Sequence, residues 1–152
     1  MTTMESHPVE LRNVPVGLWH DSRRWFEELM REFAVVAASS PEADVPRKLL
    51  DFVDEVQARF SRFSESSNLM LEEAHAEGRP HVDLSLQLPL EAGPIAAELL
   101  DHIFRADVFC REGQLLTIEM SQPVRQFLEW YLGEVNRQLG GAEATPWDGS
   151  ET

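Results

Sequence analysis

Over most of this chain the apolar residues recur every three or four positions. From Leu49 onward they fall at Leu49, Val53, Val56, Phe60 and Phe63, at spacings of four, three, four and three. Such a stripe covers one side of an α-helix and cannot lie on one face of a strand, where the period is two. Two heptads of this spacing form a narrow seam for a neighbouring helix, within the molecule or across a homodimer. The same periodicity puts Trp25, Phe26, Leu29, Met30, Phe33 and Val36 on one wide face of an earlier segment. Arg23–Glu27 and Arg24–Glu28 pair four apart on its other face. Two later stripes follow, Ala96, Leu99, Leu100, Ile103 and Phe104, then Val124, Phe127, Leu128, Tyr131, Leu132 and Val135. A chain patterned this way buries helices against one another and has little sequence left for a sheet.

Alternation of period two is confined to three short stretches. The clearest is HVDLSLQLP, where Val82, Leu84, Leu86 and Leu88 face one way and Asp83, Ser85 and Gln87 the other. VELRNVPV alternates Val9 and Leu11 with Glu10 and Arg12 before Pro15, and LLTIEM alternates Leu116, Ile118 and Met120. Boundary signals divide the rest. The first helix begins between Pro15 and Asp21. Asp44 is placed to cap a helix whose first turn tolerates Pro46. The polar run from Ser64 predicts a break, followed by a short helix over NLMLEEAHAEG that Gly78 and Pro80 stop. Ser121 caps the last helix and Gly140-Gly141 ends it. A strand, helix and strand from Val82 to Met120 imply a right-handed parallel crossover. The expected architecture is a helix-dominated α+β domain over residues 9–141, a sheet of about three strands packed by four to five helices. A flexible stretch over 1–8 precedes it, and a polar tail over 142–152 follows, with Trp147 as its one apolar anchor.

Charge narrows the classes of partner. Against 13 basic residues stand 27 acidic ones, for a formal net charge of -14. Such a field repels nucleic-acid phosphates and anionic lipid surfaces, so neither is an expected partner. No apolar run reaches the roughly 18 residues a membrane span requires. The opening MTTMESHPVE lacks the basic and then apolar pattern of a leader, and the single cysteine allows no internal disulfide. A reducing cytoplasm is the expected setting.

Candidate chemistry is sparse. Cys110 lies four residues after Ala106 and seven after Ile103, on the apolar side of its helix, where a thiol behaves as a small hydrophobe. His102 falls on another face, so the two do not form a nucleophile and base. The densest cluster of ligating side chains is EEAHAEGRPHVD, where Glu73, His75, Glu77, His81 and Asp83 crowd a turn between helix and strand. Nitrogen and oxygen donors of this kind suit zinc or manganese. The spacing matches no standard ligand pattern, so His75, Glu77, His81 and Asp83 stand as metal candidates beside the plainer reading of a solvated turn. No glycine-rich phosphate cradle is present, no catalytic acid and base pair can be nominated, and no cofactor is called for. Most of the aromatic residues sit at helical spacing and belong to the core. Trp130, Trp147, Phe60 and Phe63 are retained as candidates for partner binding.

The stretch PLEAGPIAAELLDHIFRADVFCREGQLLTIEMSQPVRQFLEWYLGEVNRQLGG with the following TPW, together with LRNVPVGLWHDSRRWFEELMREFAVVA, resembles a group of small, largely uncharacterised actinobacterial proteins. They are met near genes for sigma-factor regulators: serine phosphatases, anti-sigma kinases and their antagonists. ADVFCREGQLLT and VRQFLEWYLGEVNRQL are its most characteristic parts. The resemblance implies a regulatory setting and a protein partner, and it supplies no catalytic residues. The leading expectation is therefore a non-enzymatic regulatory or protein-interaction domain. The alternative is a metal-dependent or small-molecule enzyme built on the His75 to Asp83 turn, with His20 or His102 brought close by folding.

Overall fold

The computed structural model describes residues 6–39, 44–112 and 119–149. Its elements run β1 (Ser6–Pro15), α1 (Val16–Ser39), α2 (Asp44–Ala76), β2 (His81–Pro89), α3 (Ala92–Arg111) and α4 (Gln122–Leu139). Helices dominate, as the spacing predicts. Among the described residues the sheet has two strands, β1 and β2, which pair antiparallel. The third expected strand falls mainly on residues 113–118, outside the described residues, and takes the parallel crossover with it. Glu119 and Met120, which are described, are not in a strand.

The pairing register follows from the alternation. Val9 lies opposite Leu86 and Leu11 opposite Leu84, and Val14 then faces Val82. Three residues are thus spanned on β1 against two on β2, a β-bulge that leaves Arg12 and Asn13 opposite Asp83. Asn13 takes the left-handed conformation at φ 60, which asparagine tolerates better than most residues. The Asn13 N–H donates to Asp83 Oδ1 at 2.8 Å. Because of the extra residue, Val14 rather than Asn13 joins Val9 and Leu11 on the buried face.

Helix α2 is continuous where the sequence predicts two helices, giving four helices among the described residues. The polar run hides an unbroken stripe: Phe60, Ser67, Leu71 and Ala74 are all buried, spaced seven, four and three apart, with Ser67 occupying a core position. The stripe that begins at Leu49 is satisfied within the molecule, since Leu49, Val53 and Phe60 belong to its own core. Helix α2 ends in a Schellman motif, in which Arg79 N donates to Ala74 O and Gly78 N to His75 O, with Gly78 at φ 73. Helix α4 closes the same way around Gly141 at φ 104. Its start is capped by Ser121, whose hydroxyl accepts from Val124 N.

The tail over 142–149 is ordered against this framework. Trp147 N donates to Arg12 O at 3.0 Å, and Asn13 Nδ2 donates to Trp147 O at 2.9 Å, so the bulge receives the tail. The Trp147 ring, 5% exposed, packs edge-on against Phe127 and Trp130 at 6.0 and 5.6 Å between centroids. Trp130 Nε1 donates to Thr145 O. Glu134, 1% exposed, accepts from Thr145 N at 2.7 Å and from Gln138 Nε2 at 3.0 Å and is paired with Arg137.

Two stability measurements follow. Ser66→Pro, an exposed change in the middle of α2, should cost about 3 kcal/mol in urea unfolding, because it removes a hydrogen bond of an intact helix; a near-neutral result would restore the break. Trp147→Ala should cost about 3 kcal/mol in the same assay, whereas truncating an undocked tail residue would cost nothing.

Candidate functional site

Where the α1–α2 hairpin meets α3 and α4, the packing leaves an open groove of about 420 Å³. Phe26 of α1, Leu99 and Ile103 of α3, and Phe127, Leu128, Tyr131 and Leu132 of α4 line its apolar part. Ser22, Arg23 and Glu27 of α1 and Gln57 and Asn68 of α2 supply the polar groups. The helical stripes explain this composition. Each helix buries the centre of its apolar face and leaves the margin half covered, and Phe26, Leu99, Leu128, Tyr131 and Leu132 are those margins. Loss of solvent pushes the Tyr131 phenol up to about 12, so it stays protonated in the physiological range.

A second, smaller depression of about 280 Å³ adjoins the first and shares Trp19, Arg23 and Glu27 with it. It adds His20, Arg24, Glu72 and His75. His20, early in α1, and His75, in the last turn of α2, stack face to face with centroids 3.8 Å apart and planes within 13°. Folding therefore does bring one outlying histidine to the turn. In that stack the ring nitrogens lie in nearly parallel planes and do not converge on a point. Arg23 takes both nearby carboxylates, Glu27 at 3.2 Å and Glu72 at 2.9 Å, and its guanidinium lies over the Trp19 ring.

The other members of the turn go elsewhere. Glu77 pairs with Arg79 at 2.9 Å, and Asp83 serves the bulge through Asn13. His81 sits opposite Pro15 at the end of the ladder. Among the described residues, no three histidine, cysteine, aspartate or glutamate side chains gather as a metal would require. His102 lines neither depression; its ring lies 4.7 Å from Phe52 and its Nε2 4.0 Å from Glu98.

Cys110 is 6% exposed. Burial pushes its thiol up to about 11, and the negative charges of Asp107, Glu32 and Glu119 add to the effect. Asp107 is itself buried and holds Met120 N at 2.8 Å, with Arg125 3.7 Å away. Of the partner candidates, Trp147 and Phe60 are buried. Trp130 and Phe63 are half-buried, the latter beneath the Arg62 guanidinium.

Sequence reasoning did not single out the groove. Its lining residues were legible one helix at a time as apolar stripes, but a gap between four helices depends on how the stripes meet. Comparison with protein-family models, with curated proteins and with solved structures returns no match.

The thiol gives a pH-dependent signature. Its folded pKa lies above the ordinary thiol value, so the native state holds the proton longer than the unfolded chain. Stability should fall as pH rises from about 9 toward 11. Cys110→Ala should flatten that part of the fall in alkaline urea titrations, and native Cys110 should resist iodoacetamide at neutral pH while the unfolded chain labels readily. Fast native labelling would contradict the buried placement.

Proposed function

We propose that this chain is a non-enzymatic regulatory domain that binds another protein through the groove between α1, α2, α3 and α4. The observation that carries the reading is the groove itself: an open apolar floor assembled from α1, α3 and α4 and bordered by amides and charges. Apolar side chains left open to water gain from being covered by a partner. Outside it, the buried thiol and the buried carboxylates are committed to structure. Cys110 is buried and protonated, Asp107 holds the chain before α4, and Glu134 holds the tail. The resemblance to proteins met near sigma-factor regulators supports a component of such a circuit as the proposed partner, with the cytoplasm as the proposed setting. No helix among the described residues is long and apolar enough to cross a membrane.

A second reading, small-molecule chemistry at the His20–His75 depression, has one observation in its favour, the meeting of two imidazoles with Glu27 and Glu72. The first is preferred because both carboxylates are already bound by Arg23.

Site-specific photocrosslinking in the native host separates them. A photoreactive residue at Gln57, in the groove, should trap a discrete protein, and one at Arg105, exposed and outside it, should not. Equal adducts at both positions, or none at Gln57, would overturn the interaction reading.

A further inference from the structure

We infer that the groove is built to receive a basic amphipathic helix of the partner protein, an inference that rests on the interaction reading above. Its dimensions suit a helix. Gln57 and Asn68 bound it on α2 and lie eleven residues apart, about 16 Å along a helix axis. A ligand helix of three turns covers that length and presents side chains at i, i+4, i+7 and i+11 along one line. Leu99, Leu128, Leu132 and Phe26 come from three helices and give that line a continuous apolar bed. The open side matters too. A small molecule binds where most of its surface is enclosed, whereas a helix needs only one face covered.

Charge selects the kind of helix. Glu27 lies in the groove and Glu72 is tied to Arg23 at its border. On α2, Asp54 lies three residues before Gln57 and Glu65 three before Asn68, which puts both carboxylates along the same edge of the helix. Both are exposed and form no ion pair among the described residues. Four carboxylates thus border the groove and its adjoining depression against two guanidiniums, Arg23 and Arg24. The net charge of -14 extends the same preference over the whole surface and opposes a second copy of the chain as occupant.

The test uses the full chain and three synthetic probes of 16 residues: a leucine–lysine helix with leucines at i, i+4, i+7 and i+11, the same helix with glutamate for lysine, and a scrambled leucine–lysine peptide. Calorimetry should give saturable one-to-one binding of the first, with affinity at least tenfold weaker for each of the others. The double variant Leu128→Gln, Leu132→Gln should lose at least tenfold. Should that variant not fold, Asp54→Lys with Glu65→Lys, at exposed positions, should weaken the lysine helix and strengthen the glutamate helix. Equal binding of the lysine and glutamate helices, equal binding of the scrambled peptide, or no saturable heat would overturn the inference. So would affinity unchanged in the folded variants, or self-association that shields Gln57. A discrete adduct at Gln57 alongside failure of the lysine helix would remove this occupant and leave the interaction reading standing; no adduct would remove both.

Discussion

A ladder of two strands cannot stand in water by itself. It has one face to bury and edges whose amides and carbonyls invite another strand. The inner face is met by the helices, through Val9, Leu11, Val14, Leu84, Leu86 and Leu88. The outer edge of β1 is met differently. Gln138 of α4 accepts from Glu10 N and donates to Glu10 O, both at 2.8 Å. A single primary amide thereby reproduces the two hydrogen bonds that a neighbouring strand residue would make. Two residues further on, Trp147 N takes the Arg12 carbonyl. The bulge at Asn13 turns the strand at this point, and the tail fills the position the turn creates.

Two buried carboxylates hold the segments that carry this arrangement. Burying an ionised carboxylate is costly unless hydrogen bonds and a counter-charge compensate. Glu134 has Thr145 N, Gln138 and Arg137; Asp107 has Met120 N and, at longer range, Arg125. Each fixes a backbone amide outside a helix. Their burial is therefore accounted for by architecture, and the regulatory reading does not leave an unexplained acid in the interior.

Much of the fold was legible in the sequence because binary patterns are local. The alternation of Val82 to Leu88 and the stripes around Phe33, Val53 and Phe127 each declare an element without reference to the rest. Ser67 shows the limit. Its hydroxyl broke the apparent stripe of α2, although helical geometry keeps it in line with Phe60 and Leu71. The bulge illustrates another limit, since Arg12 and Asn13 read as an ordinary strand end until Asp83 is seen opposite them. Asp83 and Glu77 looked like ligands because they crowd a turn in sequence, yet a strand and a turn direct neighbouring side chains apart. The meeting of His20 with His75 and the groove among four helices depend on long-range packing, which spacing alone does not encode.

Helix α4 joins features that lie on different sides of the molecule. Leu128 and Leu132 form one wall of the groove, while Glu134 and Gln138, two to ten residues onward, secure the tail and the β1 edge. Eighteen residues make a stiff rod about 27 Å long. The same rod that walls the slot therefore bears the amide seal at Glu10 and the carboxylate that grips Thr145, so the slot, the strand edge and the tail share one support.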